Sequence, residues 1–340
     1  MRRAETPYAI AYVTLDEGVT MMTNIVDCDL NGIRIGQKVR VVWKPTEGGR
    51  RCRPSLPHEL RVPAHLPGDR AGGGRPGCRA VRCGPGQPLA PDMAAAMRRA
   101  WLDHGVIFFR DQDLPPDAFL RFARLFGEPI EYPFVKGLPE QPEIIPVLKE
   151  ANERVNFGGI WHSDTAYLDV PPMASMLIAR EVPPAGGDTL FASMYLAYES
   201  LSEGMKRLLA GLVGINSSAS ADVSKTREDR MKDNAREDAR KEYVARHPLV
   251  RTHPETGRKA LYVNVAHTVG IEGLTRDESA PILDFLFRHQ IRPEFTCRFR
   301  WRPRSIAFWD NRCVQHNAVN DYQGHRRLMH RITLGGDRPR

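Results

Sequence analysis

His162 and Asp164 stand one residue apart in Trp161-His162-Ser163-Asp164, and His316 closes the run Trp309-Asp310-Asn311-Arg312-Cys313-Val314-Gln315-His316. Two imidazoles and one carboxylate suit a borderline ion such as iron(II). Arranged as a facial triad, they fill one face of an octahedron and leave the other open for substrate and oxygen. A His-x-Asp pair alone recurs by chance, so the surrounding offsets carry the weight. Arg327 lies eleven residues after His316, with Arg331 four further on. Gly186-Gly187-Asp188-Thr189 places Thr189 twenty-seven residues after His162, and a Pro171-Pro172 pair follows the first motif. A planar guanidinium grips a carboxylate through two parallel hydrogen bonds, which a lysine cannot do, and a threonine hydroxyl can donate to the same group.

Together these motifs resemble the taurine dioxygenase and 2,4-dichlorophenoxyacetate dioxygenase family of iron(II)/2-oxoglutarate-dependent oxygenases, over residues 88–340. The resemblance implies His162, Asp164 and His316 as ligands of Fe(II). It implies Arg327 and Thr189 on the distal carboxylate of the co-substrate 2-oxoglutarate, and Arg331 facing an anionic substrate. It further implies O2 as the oxidant, with succinate and carbon dioxide leaving as the substrate is hydroxylated. The pattern departs from the taurine enzyme in two places. The family's sulfonate-contacting His is missing after Phe126-Gly127-Glu128-Pro129, where Ile130-Glu131-Tyr132-Pro133-Phe134-Val135-Lys136-Gly137 follows. His267, in Val263-Asn264-Val265-Ala266-His267, stands where the family has an aromatic pocket residue. The expected substrate is therefore a small organic anion, a sulfonate or related acid, rather than taurine itself. Lys136 and His267 are candidate anion contacts, and Phe134 is a wall for an aryl group. An aryloxyalkanoate-cleaving enzyme and a non-catalytic binding or scaffold protein are the alternatives.

Most histidines are packed or surface residues, and His247, His253, His289, His325 and His330 are read that way. A thiolate ligand from Cys313 does not suit an oxygenase of this kind. The six cysteines form no Cys-x-x-Cys pair, so reduced thiols and a cytoplasmic location are expected. The net charge of +8 is local, because residues 50–88 carry eight Arg against Glu59 and Asp69. No basic stripe interleaved with aromatics suggests a nucleic-acid partner. No apolar run is long enough for a membrane partner. Expected partners are a small anionic organic substrate and, at most, further copies of the chain.

Three segments follow from composition. Residues 1–49 read as a small β-rich unit with strands at Tyr8–Leu15, Val19–Val26 and, after Gly32–Gly36, Val39–Trp43. They resemble part of an acyl-CoA-associated OB-fold. Residues 50–88 hold seven Pro and seven Gly, the composition of a linker or fusion joint. Residues 89–340 form the oxygenase domain. Helices are expected over Asp92–His104, after Pro115-Pro116, around Met205–Leu212 and around Ile282–His289, the last with Thr275-x-x-Glu278 as capping box. The charged stretch Ser224–Arg246 reads as a solvated helix. Strands are expected at Met173–Arg180, Asp188–Ala192, Leu261–Val265, Phe295–Trp301, Ser305–Trp309 and Leu328–Leu334. Many strands with a few flanking helices specify a mainly β fold, the double-stranded β-helix or jelly roll, whose rigid mouth can hold ligands from distant strands.

Overall fold

The computed structural model describes Ala9–Thr14, Thr20–Ile25 and residues 91–132, 134–219 and 242–340. The N-terminal unit, separate from residues 91–340, contributes β1 (Ala9–Thr14) and β2 (Thr20–Ile25). They pair antiparallel with Ala9 opposite Ile25 and Thr14 opposite Thr20. The strand expected at Val39–Trp43, the linker at 50–88 and most of the charged stretch lie outside the described residues.

The C-terminal unit is built on a six-stranded antiparallel sheet. β3 (Val106–Phe109), β14 (Ile306–Asp310), β6 (Ala174–Glu181) and β16 (Arg327–Leu334) follow one another across it. β16 is flanked on its other side by β5 (Ile144–Lys149) and, at its C-terminal end, β4 (Pro129–Ile130). Residues alternate between the two faces, as a pleated strand requires. Ile107, Met176, Ile178, Ile306, Phe308, Ile332 and Leu334 face a helical layer. That layer is α1 (Pro91–His104) and α2 (Pro116–Arg124). Trp101 stacks on Phe308 at 4.6 Å between centroids. Phe119, Phe122, Ala123 and Phe126 form a buried stripe at helical spacing.

The intervening residues Val106, Phe108, Leu177, Ala179, Ala307, Trp309 and Met329 face inward, onto a second sheet. Its three strands are β13 (Thr296–Phe299), β7 (Thr189–Ser193) and β15 (Val314–Ala318). Phe191, Phe299 and Val314 meet the first sheet there, with Phe108 stacked on Phe299 at 4.1 Å. Two packed antiparallel sheets with helices on one outer face make the jelly roll. On β16 the same alternation sends Arg327, Met329 and Arg331 inward together.

The remaining elements cover one side. β8 (Val213–Ser217) lies between β9 (Val244–Pro248) and β12 (Thr268–Ile271), while β10 (Val250–Thr252) pairs with β11 (Lys259–Leu261). Helices α3 (Met194–Glu199), α4 (Glu203–Leu209) and α5 (Arg276–His289) pack nearby. α5 opens on the expected Thr275–Glu278 capping box. Within it Leu283 and Leu286 are buried, while Phe285 is exposed. The strand expected over Leu261–Val265 ends at Leu261. Beyond it, the Asn264 side chain accepts the backbone N–H of His267 and turns the chain. The charged stretch ends in strand, since Val244–Pro248 pairs with β8. Among the described residues, no helix is long and apolar enough to cross a membrane.

Candidate metal and co-substrate site

His162 and His316 face each other as an isolated antiparallel bridge. Each backbone N–H donates to the other's carbonyl, at 3.1 and 2.9 Å. Directly opposed residues share a face, so the two rings lie 4.2 Å apart between centroids. Asp164, two residues on, brings Oδ1 to 3.7 Å from His162 Nε2. One ligand atom from each of the three lies within 4.8 Å of the others. Small side-chain rotations close that to the roughly 3 Å spacing of neighbouring ligands held about 2.1 Å from one ion. All three side chains are buried.

Neighbouring groups fix the orientation of these donors. The Ile160 carbonyl lies 2.6 Å from His162 Nδ1, so that nitrogen donates and Nε2 keeps its lone pair for a metal. Gly158 has φ +79°, and a Cβ there would come within 3.1 Å of the His162 ring. The Ser175 hydroxyl donates to Asp164 Oδ2 at 2.6 Å. Ser175 accepts from Asn311 Nδ2, and Asn311 Oδ1 accepts from Trp309 Nε1. This relay ties the carboxylate to β14. Just after Asp164, Thr165 has φ 45°, a strained position for a β-branched residue and one typical of functional sites.

The electrostatics put these groups in the protonation state a metal needs. Burial lowers His162, and burial together with the His162 charge brings His316 down to about 3. Burial alone would raise Asp164, but His316, Arg331, His162 and the Ser175 hydroxyl outweigh it and hold the carboxyl well below its usual range. Neutral imidazoles and an ionised carboxylate are the forms that bind metal.

Arg327 and Thr189 converge on Trp301. The indole N–H donates to Thr189 Oγ1 at 2.9 Å, leaving the threonine hydrogen free to donate elsewhere. The Arg327 guanidinium carbon lies 5.8 Å from the Trp301 ring and 5.9 Å from Tyr322. Gly187 packs beside it at φ +70°, where a Cβ would press on Pro183 Cγ at 3.2 Å and Tyr322 Cδ1 at 3.3 Å. Arg327 is only 5 % exposed, and its Nε and Nη2 have no hydrogen-bond partner. A buried guanidinium with open donors costs free energy until an anion fills them, which fits a carboxylate ligand.

Arg331 sits at the other end of the cluster. Its Nη1 is 3.5 Å from Asp164 Oδ1, and its guanidinium lies over Tyr132 at 4.4 Å and Phe157 at 5.5 Å. Burial pushes the Tyr167 hydroxyl well above its ordinary range, with Tyr132 beside it as the next cause. Phe134 packs edge-on against Tyr132, Tyr167 and Tyr243. The His267 ring lies 4.8 Å from Tyr167 and 6.1 Å from His162. Burial, with the His162 charge second, brings His267 down to about 3, so it stands there as a neutral ring. Lys136, expected as an anion contact, is exposed. Of the histidines expected to be ordinary, His247, His253 and His289 are buried and hydrogen-bonded. Ser175, Asn311, Tyr167, Phe157 and Trp301 carry no sequence signal of their own. Their roles arise only from contacts between distant segments.

Known proteins share the fold and about a third of the sequence over the matched region. Residues 81–333 match the family described as taurine catabolism dioxygenase TauD, TfdA family. The chain belongs to the TauD/TfdA family. This TauD/TfdA protein is an iron(II)/2-oxoglutarate-dependent dioxygenase, with Fe(II), 2-oxoglutarate and O2 as its reagents. It is 34% identical to an alkylsulfatase of Acinetobacter baylyi, over 70% of this chain and 75% of that protein. It is 32% identical to the alpha-ketoglutarate-dependent sulfate ester dioxygenase of Pseudomonas putida, over 84% and 93%. A taurine dioxygenase structure from Burkholderia xenovorans superposes with a TM-score of 0.63 at 36% identity, covering 74% of this chain and 83% of that one. Residues 2–44 match the C-terminal OB-fold domain of ChsH2, as the N-terminal strands led one to expect.

Proposed function

We propose that His162, Asp164 and His316 hold the iron, that Arg327 and Thr189 hold the distal carboxylate of 2-oxoglutarate, and that the substrate is a small sulfur oxyanion. The substrate would be a sulfate ester or sulfonate, lying against Arg331, Tyr132, His267 and Phe134. The observation that carries this reading is the pair of inward-facing arginines on β16. Arg327 has open donors, and Arg331 is fixed beside Asp164 at 3.5 Å. Names of relatives agree, since two act on sulfate esters or alkyl sulfates. Tyr132 offers a hydroxyl beside Arg331 where the taurine enzyme uses an imidazole, which argues for an anion other than taurine.

When bound, iron(II) with 2-oxoglutarate and O2 supplies the conversion of a substrate C–H to C–OH, with succinate and carbon dioxide released. The chain's residues do the rest. Arg327 and Thr189 anchor the co-substrate from its far end, and Arg331 and Tyr132 hold the substrate's anionic head. Phe134, Tyr167 and His267 wall off water, and a neutral His267 adds no charge that would compete with Arg331. Hydroxylation of a carbon bearing a sulfate or ether oxygen leaves an unstable product that fragments to a carbonyl compound and the free anion.

The aromatic wall of Phe134, Tyr167 and Tyr243 favours an aryloxyalkanoate as the second reading. The test is succinate release with iron(II), 2-oxoglutarate and a panel of alkyl sulfates, sulfonates and aryloxyalkanoates. Coupled turnover with sulfur oxyanions supports the first reading. Coupling only with aryloxy acids moves the assignment to the second. We place the catalytic domain at 89–340, with 1–49 and 50–88 as an OB-like unit and a linker. The free thiols Cys297 and Cys313 support a cytoplasmic location.

A further inference from the structure

Lys149 ends β5 directly opposite Arg327 on β16. Residues opposed across an antiparallel pair project to the same face. The neighbouring pairs Val147–Met329 and Ile145–Arg331 follow the same register, and Val147 packs in the interior cluster with Met329. Lys149 therefore enters the barrel beside Arg327. It is only 4 % exposed, and its Nζ has no hydrogen-bond partner. Its Nζ lies over the face of Tyr322, at 4.6 Å, and the Arg327 guanidinium lies 5.9 Å from the same ring. The nearby acidic side chains are committed elsewhere. Asp188 pairs with Arg298, and Glu150 and Glu181 pair with Arg326. A cation–π contact is worth about 0.5–2 kcal/mol and offsets only part of the cost of burying an ammonium. Two unpaired cations side by side also repel each other. A dianionic ligand would relieve both costs; a monoanion bound only at the metal end would relieve neither.

We propose that Lys149 is a second cation for the distal carboxylate of the co-substrate, and so sets the protein's selectivity for dicarboxylic over monocarboxylic 2-oxo acids. This rests on the assignment of Arg327 to the same carboxylate. Arg327 supplies the directional fork, and Lys149 supplies charge without a fixed direction.

The test is calorimetric binding to the full-length Mn(II)-loaded protein, with no turnover. The ligands are 2-oxoglutarate and 2-oxovalerate, which has the same carbon count without the distal carboxylate. Lys149→Met should weaken 2-oxoglutarate by about ten-fold or more, the scale of a lost charged hydrogen bond. It should leave 2-oxovalerate within about twofold, because that ligand never reaches Nζ. A second readout separates this role from a packing role. With metal but without co-substrate, Lys149→Met should melt no lower than wild type, since it removes an unpaired buried charge. The rise in Tm on adding 2-oxoglutarate should shrink. Equal weakening of both ligands, or a lower co-substrate-free Tm with 2-oxoglutarate affinity intact, would overturn the proposal in favour of packing on Tyr322. Should Lys149→Met not fold, Lys149→Gln is measured in the same way. Arg327→Ala run in parallel identifies which idea has failed. If it too leaves 2-oxoglutarate binding unchanged, the co-substrate pocket itself is misplaced. If it abolishes binding while Lys149→Met does not, only the role of Lys149 falls.

Discussion

The His253–Asp310–Cys313 group and the His162–Asp164–His316 group each gather three ligating side chains out of solvent, yet they differ in how fully their charges are answered. In the first, Arg312 clamps both oxygens of Asp310 at 2.8 and 2.7 Å, and His253 Nε2 adds a third contact at 3.0 Å. Glu255 takes the free end of Arg312 at 2.8 Å and also Arg98 at 2.6 Å. Burial pushes the Cys313 thiol well above its ordinary range, leaving it a poor ligand. Around the second group, His316 Nδ1, His267 Nδ1, Arg331 Nε, two nitrogens of Arg327 and Lys149 Nζ have no hydrogen-bond partner. A saturated network holds a turn in place, whereas an unsaturated one is shaped for something that arrives later. The two meet at consecutive residues, because Asp310 serves the first and Asn311 the second.

The largest effect that could break this contrast is removal of a ligand. Asp164→Ala should abolish stoichiometric iron binding and lower turnover by about three orders of magnitude or more. His253→Ala should keep one iron per chain. Metal analysis of the two purified variants decides this, and full iron occupancy in Asp164→Ala would sink the site. Next comes Arg312→Met, which leaves Asp310 with His253 and Glu255 with Arg98. It should cost about 3–5 kcal/mol of stability, as stripping one partner from a buried ion pair does. The denaturant midpoint measures the loss, and iron stoichiometry of the folded fraction should not change. Arg327→Ala should cost about 2–5 kcal/mol of 2-oxoglutarate binding, the range for truncating one side of a buried charge pair, while iron affinity holds. An unaltered 2-oxoglutarate requirement would transfer that role to Arg331.

Arg331→Gln should weaken anionic substrates by about 1.5–3 kcal/mol while substrate-free decarboxylation continues. Comparing coupled with uncoupled succinate production tests this, and equal loss of both would show that Arg331 serves the metal and co-substrate side through Asp164. The smallest effect concerns the N-terminal unit. A chain starting at residue 81, where the family match begins, should keep kcat/KM within about 0.5 kcal/mol of the full chain, the scale of changes that remove none of the site's contacts. A folded but inactive product would show that the N-terminal unit contributes to catalysis.

The three side chains that converge as a candidate metal site were legible in the sequence because each sits in a local motif and the offsets between motifs are fixed. The strand carrying one of them was not. β15 reads Val-Gln-His-Asn-Ala, and its apolar pattern is broken because His316 stands in the candidate metal site between Val314, which packs in the core, and Ala318, while Gln315 hydrogen-bonds to the Val263 carbonyl. β5 was hidden by Pro146, which breaks a strand pattern. It is tolerated because, among the described residues, β5 pairs with β16 alone and so lies at an edge of the sheet. Lys149 and Tyr167 gave no sign either, since a lone Lys or Tyr acquires meaning only from what a distant strand places beside it. The jelly roll itself was legible, because β6, β14 and β16 are long and strongly patterned.

The bridge between His162 and His316 joins residues 154 positions apart. Closing so long a loop costs chain entropy before any contact repays it, and such non-local pairings tend to form late in folding. Metal therefore cannot act as a nucleus that gathers the chain, as it does in small zinc modules. It should instead report that folding is finished. In a refolding time course, burial of Trp101 against Phe308 should precede metal uptake, and uptake that outpaced it would reverse the order.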